Sequence, residues 1–353
     1  MQILIVGAGP SGLTAAVELA RHGIKAELID KRDNASGFSR AVGITSNSLQ
    51  LLEPSGATDQ LLAEGIQIEC ARIFNGKFPL LELRWNAEIS EGKKLLALAQ
   101  DRTEAILLER LQAIGGSIQY NSELTSLKID QSNVLVTIND GNEVTYDYVI
   151  AADGVKSSTR HFLGLEFPGF DLGEDWSIAD ADIEEWFAID SFSIFLLQQG
   201  NVVVVVPLEE KRVRVISSTV DAIAALPVPL SIKNIRRAGT FRISVRSMED
   251  YRHGPVFFIG DAAHTHSPVG GRGMNLGIAD AAELAEKFAS GKQDEYGPVR
   301  HREAAKIIRA SESGRKILTS ANPIVRFFAR MIIRIVGSIP PLRLWFVQNI
   351  VLD

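Results

Sequence analysis

The sequence is poor in the features that would place it outside a reducing compartment or across a membrane. It has a single cysteine, Cys70, which excludes an intramolecular disulfide and any cysteine-rich metal site. No stretch of 18 apolar residues occurs, so no transmembrane helix is expected. The N-terminus has neither a basic lead nor a cleavage site. We therefore expect a cytoplasmic protein without a signal peptide.

The chain also has no excess of positively charged residues. The formal net charge is -6, and no long basic run interrupts the chain, which argues against a nucleic-acid partner. Hydrophobic residues make up 46% of the 353 residues, as is ordinary for a globular protein. This length predicts two domains or one elaborate domain with a large core.

The first thirty residues follow the pattern of a dinucleotide-binding βαβ unit. A buried strand at 2–6 leads into Gly7, Gly9 and Gly12, and a helix at 11–22 and a strand at 25–29 follow. In this pattern the glycines permit the tight turn, the approach of a pyrophosphate and close helix packing. Asp30 ends the second strand, where its carboxylate would accept the ribose hydroxyls and disfavour a 2′-phosphate. The unit alone leaves NAD and FAD open.

Two distant motifs carry further glycines and acids. The first, at 148–157, is a strand that runs into Asp153-Gly154, a common turn sequence. The second follows an apolar strand at 256–259 and precedes an amphipathic helix at 276–288. It contains Gly260-Asp261, Pro268 and Gly271-Arg272-Gly273-Met274-Asn275.

With these motifs, nearly the whole chain resembles the single-component FAD-dependent aromatic hydroxylases related to para-hydroxybenzoate and phenol hydroxylase. The resemblance implies an α/β (α+β mixed) fold, a Rossmann-like FAD-binding domain with an inserted antiparallel-sheet substrate domain and C-terminal helices. It implies hydroxylation of an aromatic or polyketide-like molecule with O2, through a flavin C4a-hydroperoxide. NADPH or NADH would bind transiently to reduce the flavin, since no second Gly-x-Gly-x-x-Gly motif follows to hold a nicotinamide dinucleotide. In this family the cofactor carries the chemistry, so no catalytic triad is expected.

The resemblance also implies the site residues. Asp261 would bind the flavin ribityl chain, the glycine loop after Pro268 would meet the pyrimidine edge, and the backbone of Leu124 would meet the adenine. The full set of expected cofactor-binding residues is Gly7, Gly9, Pro10, Ser11, Gly12, Asp30, Lys31, Arg40, Gln100, Leu124, Asp153, Gly260, Asp261, Pro268, Gly271, Gly273, Met274 and Asn275.

Catalytic residues are harder to name because the flavin carries the chemistry. Arg40, Pro268 and Arg272 are possible contributors; Arg272 stands where many relatives have glutamine and would stabilise the anionic reduced flavin, or is simply a solvated loop residue. His264 and His266 lack the carboxylate neighbours of a metal site, so no metal is expected.

Patterning divides the rest of the chain. We expect a discontinuous FAD-binding domain at 1–72, 98–165 and 250–300, a substrate-binding β-sheet domain at 73–97 and 166–249, and a C-terminal helical segment at 301–353. Strands at 192–197, 202–208 and 212–218 predict an antiparallel meander, and the valine run at 202–206 predicts burial on both faces. Phe195, Leu197 and Val205 are the candidates for the substrate pocket, although alternation alone does not fix the face.

The segment 324–336 has two interpretations. Arg326, Arg330 and Arg334 recur every four residues beside Phe327, Phe328 and other apolar residues. This pattern is typical of a membrane-surface helix, but a terminal helix packed on the body with solvated arginines is favoured. The protein is expected to be a monomer or homodimer, with peripheral membrane contact through 324–336 kept open.

Two other functions compete with hydroxylation. One is an oxidoreductase of the same superfamily that inserts no oxygen, such as a prenyl-chain reductase. The other is a flavin-loaded binding protein without turnover, although a retained flavin-edge loop would have no obvious use there.

Overall fold

The structure, a computed structural model, describes residues 1–34, 41–85, 92–268 and 271–348. Its helices within these ranges are Pro10–Arg21 (α1), Ser46–Leu52 (α2), Ala57–Glu64 (α3), Gln100–Ala113 (α4), Ser158–Phe162 (α5), Gly273–Ala289 (α6), Tyr296–Leu318 (α7), Pro323–Ser338 (α8) and Pro340–Phe346 (α9). Its strands are Ile3–Val6 (β1), Ala26–Ile29 (β2), Gly43–Ile44 (β3), Ile66–Ile68 (β4), Cys70–Asn75 (β5), Phe78–Arg84 (β6), Leu95–Ala97 (β7), Leu124–Asp130 (β8), Asn133–Ile138 (β9), Glu143–Tyr146 (β10), Tyr148–Ala151 (β11), Gly169–Ile183 (β12), Ser191–Leu196 (β13), Val202–Glu209 (β14), Arg212–Ser217 (β15), Ile232–Ser247 (β16), Arg252–His253 (β17), Val256–Phe258 (β18) and His264–Thr265 (β19).

A five-stranded sheet forms the centre of the cofactor-binding half. Its order is β17-β18-β11-β1-β2, and the four strands from β18 to β2 are parallel. These strands are short and continuously apolar because both faces of a parallel sheet are covered by helices. Helices α1 and α6 lie together on one side. The order brings the carboxyl ends of β1, β11 and β18 to one edge.

The βαβ unit predicted from the sequence is confirmed. Pro10 occupies the first turn of α1, where its missing N–H costs nothing. Gly23 ends the helix with φ of +74°, and its N–H donates to the Ala20 carbonyl. The observed bounds differ by one residue from the predicted 11–22 and 25–29, as frayed helix ends lead one to expect.

An eight-stranded sheet forms the second half, in the order β19-β16-β12-β15-β14-β13-β5-β6. The predicted meander is β13, β14 and β15, paired antiparallel. The valine run of β14 is buried on both faces, as predicted: Val203 and Val205 lie in one apolar cluster, and Val206 lies in another.

The two sheets draw on separate stretches of the chain, and we propose that they mark two structural units. One detail corrects the predicted boundary. Strand β5 begins at Cys70 and pairs with β13 and β6 in the eight-stranded sheet, so a division after residue 72 would cut through it. A small sheet, β3-β7-β4, lies where the two units meet, because Val42 and Ala97 share an apolar cluster with Val206.

The chain continues into three helices, α7 to α9, as the sequence predicted for this region. Among the residues described, no helix is long and apolar enough to span a bilayer.

Candidate active site

The first glycine loop is shaped by close backbone packing. Gly7 has φ of +102°, and a Cβ there would lie 2.5 Å from the Ala152 carbonyl oxygen at the end of β11. A Cβ on Gly12 would lie 1.9 Å from the Gly7 carbonyl oxygen. Gly9 differs, because its Cβ would enter open space. The space beside Gly9, at the N-terminus of α1, therefore suits a pyrophosphate.

Asp30 lies at the end of β2 with both carboxylate oxygens engaged. Oδ2 accepts the Ala8 N–H at 2.8 Å, and the Arg32 guanidinium donates to both oxygens at 2.8 and 2.9 Å. Burial alone would raise the pKa of this carboxyl, but the hydrogen bonds from Arg32 and Ala8 hold it below its usual range. Sequence reasoning missed Arg32, which a ribose hydroxyl would have to displace from Asp30.

Two expected adenosine contacts lie beside this strand end. Leu124 is buried at the start of β8, and its expected backbone contact with the adenine stays a prediction. Lys31 is exposed, and its Nζ lies 3.9 Å from Glu123. The structure thus brings Asp30, Lys31 and Leu124 to the same edge of the fold.

Gln100 begins α4 and ties that helix to the chain just after the expected Arg40. Its Oε1 accepts the Ala41 N–H at 3.2 Å, and its Nε2 donates to Glu104 at 2.8 Å. Arg40 itself lies outside the described residues, so its expected role stays a prediction.

Asp153 lies directly behind the first glycine loop. Its Oδ2 accepts both the N–H and the hydroxyl of Thr159 at 2.9 Å. Burial raises the pKa of the Asp153 carboxyl. These contacts hold the start of α5, so the side chain stabilises the turn that Gly7 packs against.

The second loop begins at Gly260, which has φ of +57°. A Cβ on Gly260 would lie 2.3 Å from Ser11 Oγ, and one on Gly277 would lie 2.2 Å from the same atom. Ser11 therefore fits between these two glycines and joins the start of α1 to α6. Asp261 follows with an exposed side chain, and its expected contact with the ribityl chain stays a prediction.

A buried charge cluster holds this second loop from behind. Asp280 on α6 accepts the Gly260 N–H at 3.0 Å, His264 Nε2 at 2.6 Å and Arg300 Nε at 2.8 Å. Burial would raise the pKa of Asp280, but His264 and Arg300 hold it below its usual value. Sequence reasoning excluded His264 as a metal ligand and missed Asp280 and Arg300, because helical periodicity does not reveal buried polar partners.

Asn275 connects the loop that precedes α6, here called the flavin-edge loop, to β3. Its Oδ1 accepts the Thr45 N–H at 2.9 Å, and its Nδ2 donates to the Gly43 and Gly271 carbonyls at 2.9 and 3.1 Å. Helix α6 begins at Gly273, earlier than the predicted 276, so its first turn lies within the motif.

The remaining members of the motif surround this helix start. Pro268 and Arg272 are half-buried and flank the bend at Gly271, whose φ is +63°, while Met274 is buried in the first helical turn. A helix N-terminus with unpaired N–H groups favours an anion, which suits the N1 edge of a reduced flavin.

His266 is the least expected group in this loop. Its Nδ1–H donates to the Ser267 carbonyl at 2.8 Å, and its Nε2 is buried with no hydrogen-bond partner among the described residues. Burial lowers the pKa of His266 to about 4, so the ring is neutral near pH 7. No group of three potential metal ligands lies together in the described ranges.

The expected substrate residues lie on the wrong face of the eight-stranded sheet. Phe195 and Val205 are fully buried in a cluster with Ala222, and Leu197 packs against the same cluster. Alternate residues point to opposite faces of a strand, so the prediction chose the wrong parity.

The opposite face meets the cofactor-binding half. Phe192 lies 3.6 Å from the position of a Cβ on Gly43. Phe192, Ile194, Val204 and Ile216 are half-buried, whereas their neighbours along each strand are fully buried. This face is therefore apolar and partly open.

A buried ion pair interrupts this apolar face. Arg214 is 1% exposed, and its Nε and Nη2 donate to the two oxygens of Asp180 at 2.7 Å. Its Nη1 also donates to the Ala41 carbonyl at 3.2 Å. The pair joins the sheet to the segment that follows residue 40, and nothing in the strand pattern predicted it.

Together these features fit FAD. The open space beside Gly9 has room for a pyrophosphate, Asp261 is exposed at the second loop, and the N-terminus of α6 at Gly273 suits an anionic flavin edge. The sequence profile of the FAD binding domain family matches residues 1–224 and 224–311. The chain belongs to this family. Its predicted FAD cofactor is thereby confirmed.

Several relatives of this flavoprotein are monooxygenases. It is 30% identical to rifampicin monooxygenase of Streptomyces venezuelae over 333 residues, which cover 87% of this chain and 69% of the relative. Its fold superimposes on p-nitrophenol 4-monooxygenase from Pseudomonas putida with a TM-score of 0.87 at 19% identity, covering 99% and 98% of the two chains. Anhydrotetracycline hydroxylase from Streptomyces rimosus gives 0.80 at 25% identity, covering 99% and 76%. The chain is therefore an FAD-dependent monooxygenase, and its predicted fold class is confirmed.

Proposed function

We propose that this flavoenzyme inserts one atom of O2 into an aromatic or polyketide-like substrate, with NADH or NADPH as the electron donor. The observation that supports this proposal most directly is that the exposure of the side chains alternates along strands β13, β14 and β15. On the face whose Phe192 lies beside Gly43 of the cofactor-binding half, Ile194, Val204 and Ile216 are half-buried and apolar, while the other face is sealed.

This face supplies the substrate wall in the proposal. Flat apolar ligands bury well against branched aliphatic and aromatic side chains, and Phe192 adds a ring beside Gly43. Bound FAD supplies the redox chemistry with O2. The chain itself orients the substrate and excludes water from the reacting edge.

The cofactor contacts proposed from the family pattern are held by separate means. Backbone packing positions Gly7 to Gly12, and Asp280 and Asn275 position the flavin-edge loop. Arg272, half-buried at the start of α6, is proposed to face the anionic edge of the reduced flavin.

Oxygen insertion is tested with 18O2. The holoenzyme is incubated with NADH or NADPH and a library of phenols and polyketide-like aromatics, and products are identified by mass spectrometry. One 18O atom per hydroxylated product, with donor oxidation stimulated by the substrate, is expected. Turnover without label in any product would contradict the proposal and support an oxidoreductase that inserts no oxygen.

The substrate wall is tested with Val204→Phe. The larger side chain fills the open face, so kcat/KM for the best substrate is expected to fall at least about tenfold, while the FAD content stays constant. Val220→Phe is the matched control, because Val220 is 75% exposed away from this face. Equal kinetics for both variants would place the substrate elsewhere.

A further inference from the structure

Helix α8 packs on the body with its apolar side facing outward. Ala329 is buried, and a Cβ on Gly337 would lie 2.1 Å from Leu81 on β6. Arg326 lies on this inner side, where its Nη2 donates to the Leu197 carbonyl at 3.0 Å. Arg330 is also half-buried there. This corrects the favoured expectation of a packed helix with solvated arginines.

The outer side of α8 and the following α9 present large apolar side chains to solvent. Those exposed by 39–65% are Ile324, Phe327, Phe328, Met331, Ile332, Ile335, Ile339, Leu342, Leu344 and Trp345. Surface helices ordinarily turn such residues toward the core. Soluble monomers rarely expose a contiguous apolar patch of this kind unless it binds something.

The charge of residues 321–348 indicates which kind of partner this apolar surface would bind. Residues 321–348 contain four arginines and neither Asp nor Glu, in a chain whose net charge is -6. Arg334 is exposed beside the apolar surface, and Lys316 is exposed at the end of α7. Aromatic and aliphatic residues flanked by cations match the interface of an anionic bilayer, where apolar burial and phosphate attraction act together.

A second copy of the chain fits less well. A twofold contact brings the same surface patch of both copies together, so the exposed Arg334 of each copy would be brought to one interface without an acid in the segment to pair with it. A spanning orientation is also unsuitable, since the 16 residues of α8 include three arginines.

From these observations we propose that the outer faces of α8 and α9 form a peripheral membrane-docking surface. Phe327, Phe328, Ile332 and Trp345 would enter the boundary between headgroups and acyl chains, and the exposed Arg334 and Lys316 would attract anionic headgroups. The helices lie on the membrane in this arrangement.

The proposal is tested by flotation of the FAD-loaded full chain with vesicles. Phosphatidylcholine vesicles with and without 30 mol% phosphatidylglycerol serve as the probes, at about 0.1 M salt. The protein is expected to float with the anionic vesicles, and 1 M NaCl is expected to reduce the bound fraction. Phe327→Ser with Phe328→Ser is expected to lower the partition coefficient at least about tenfold, because two large apolar side chains leave the interface.

The control is Val220→Ser with Ile235→Ser, which removes two exposed apolar side chains elsewhere. Both double variants are expected to retain the FAD content and melting temperature, since the substituted side chains are exposed. Equal flotation of the aromatic variant and the control would overturn the proposal. The proposal would also be overturned if the wild-type protein did not float with the vesicles. This holds whether light scattering shows a monomer or a dimer that the aromatic substitutions dissociate.

Discussion

The two cofactor loops are built on different physical grounds. The first, Gly7 to Gly12, is held by backbone contacts that leave no room for a Cβ on Gly7 or Gly12. The second, around Gly260 to Asn275, is held by buried polar side chains, above all Asp280. A loop fixed by shape is sensitive to added atoms, and a loop fixed by charge is sensitive to lost partners. Ser11 connects the two loops, because it fits between Gly260 and Gly277.

The largest effect is expected at the shape-fixed loop. Gly12→Ala would place a Cβ 1.9 Å from the Gly7 carbonyl oxygen, which cannot be relieved without moving α1 away from β1. We expect a loss of more than about 5 kcal/mol, beyond the ordinary range for one substitution. Urea unfolding of the apoprotein measures it.

Gly9→Ala is the matched control at the same loop. Its Cβ enters open space, so stability of the apoprotein is expected to change by less than about 1 kcal/mol. FAD affinity, followed by fluorescence titration, is expected to fall at least about tenfold because the methyl group occupies the pyrophosphate space. Unchanged FAD affinity would contradict the assignment of this loop.

A smaller but still severe effect is expected at the charge-fixed loop. Asp280→Asn leaves Arg300 buried without its counter-ion, which costs about 3–5 kcal/mol, and it weakens the hold on Gly260. Unfolding in urea gives the stability, and flavin titration gives the affinity. Glu283→Gln on the same helix is the control, since its contact is a surface pair with Lys287 at 3.8 Å worth at most about 1 kcal/mol. Similar losses for both variants would show that Asp280 has no special role.

The smallest effect is a pH dependence at His266. The pKa of this ring is about 4 in the folded chain against about 6.5 when unfolded, so the unfolded state binds more protons between these values. Stability is therefore complete above about pH 6.5 and falls as the pH drops toward 4, by up to about 1.4 kcal/mol per pH unit. Urea unfolding from pH 4.5 to 7.5 is expected to show a shallower slope for His266→Gln. If the wild-type protein and His266→Gln show the same dependence of stability on pH, His266 is not the titrating group.

The shape-fixed loop could be predicted from the sequence, and the charge-fixed loop only in part. Gly7, Gly9 and Gly12 act through the absence of a side chain, which the sequence states directly. Asp280 and Arg300 lie 20 residues apart on two helices, and their meeting depends on how α6 and α7 pack. Likewise, strands β13 and β14 were predicted, but the face that each turns toward the cofactor-binding half was not. Alternation with a period of two separates the residues into two faces, and only the packing of neighbouring elements decides which face points inward.

The alternation of the meander also bears on how this scaffold could change its substrate. Ile194, Val204 and Ile216 share strands with fully buried neighbours, yet they do not contribute to the sealed cluster behind them. Substitutions at these positions therefore leave that sealed cluster intact and change the packing only of the clusters on their own face. A single-residue insertion in the valine run would instead move the residues of each face of the strand to the opposite face. Point substitutions on the half-buried face can therefore change the substrate specificity, whereas a change in strand length would disrupt the sealed cluster.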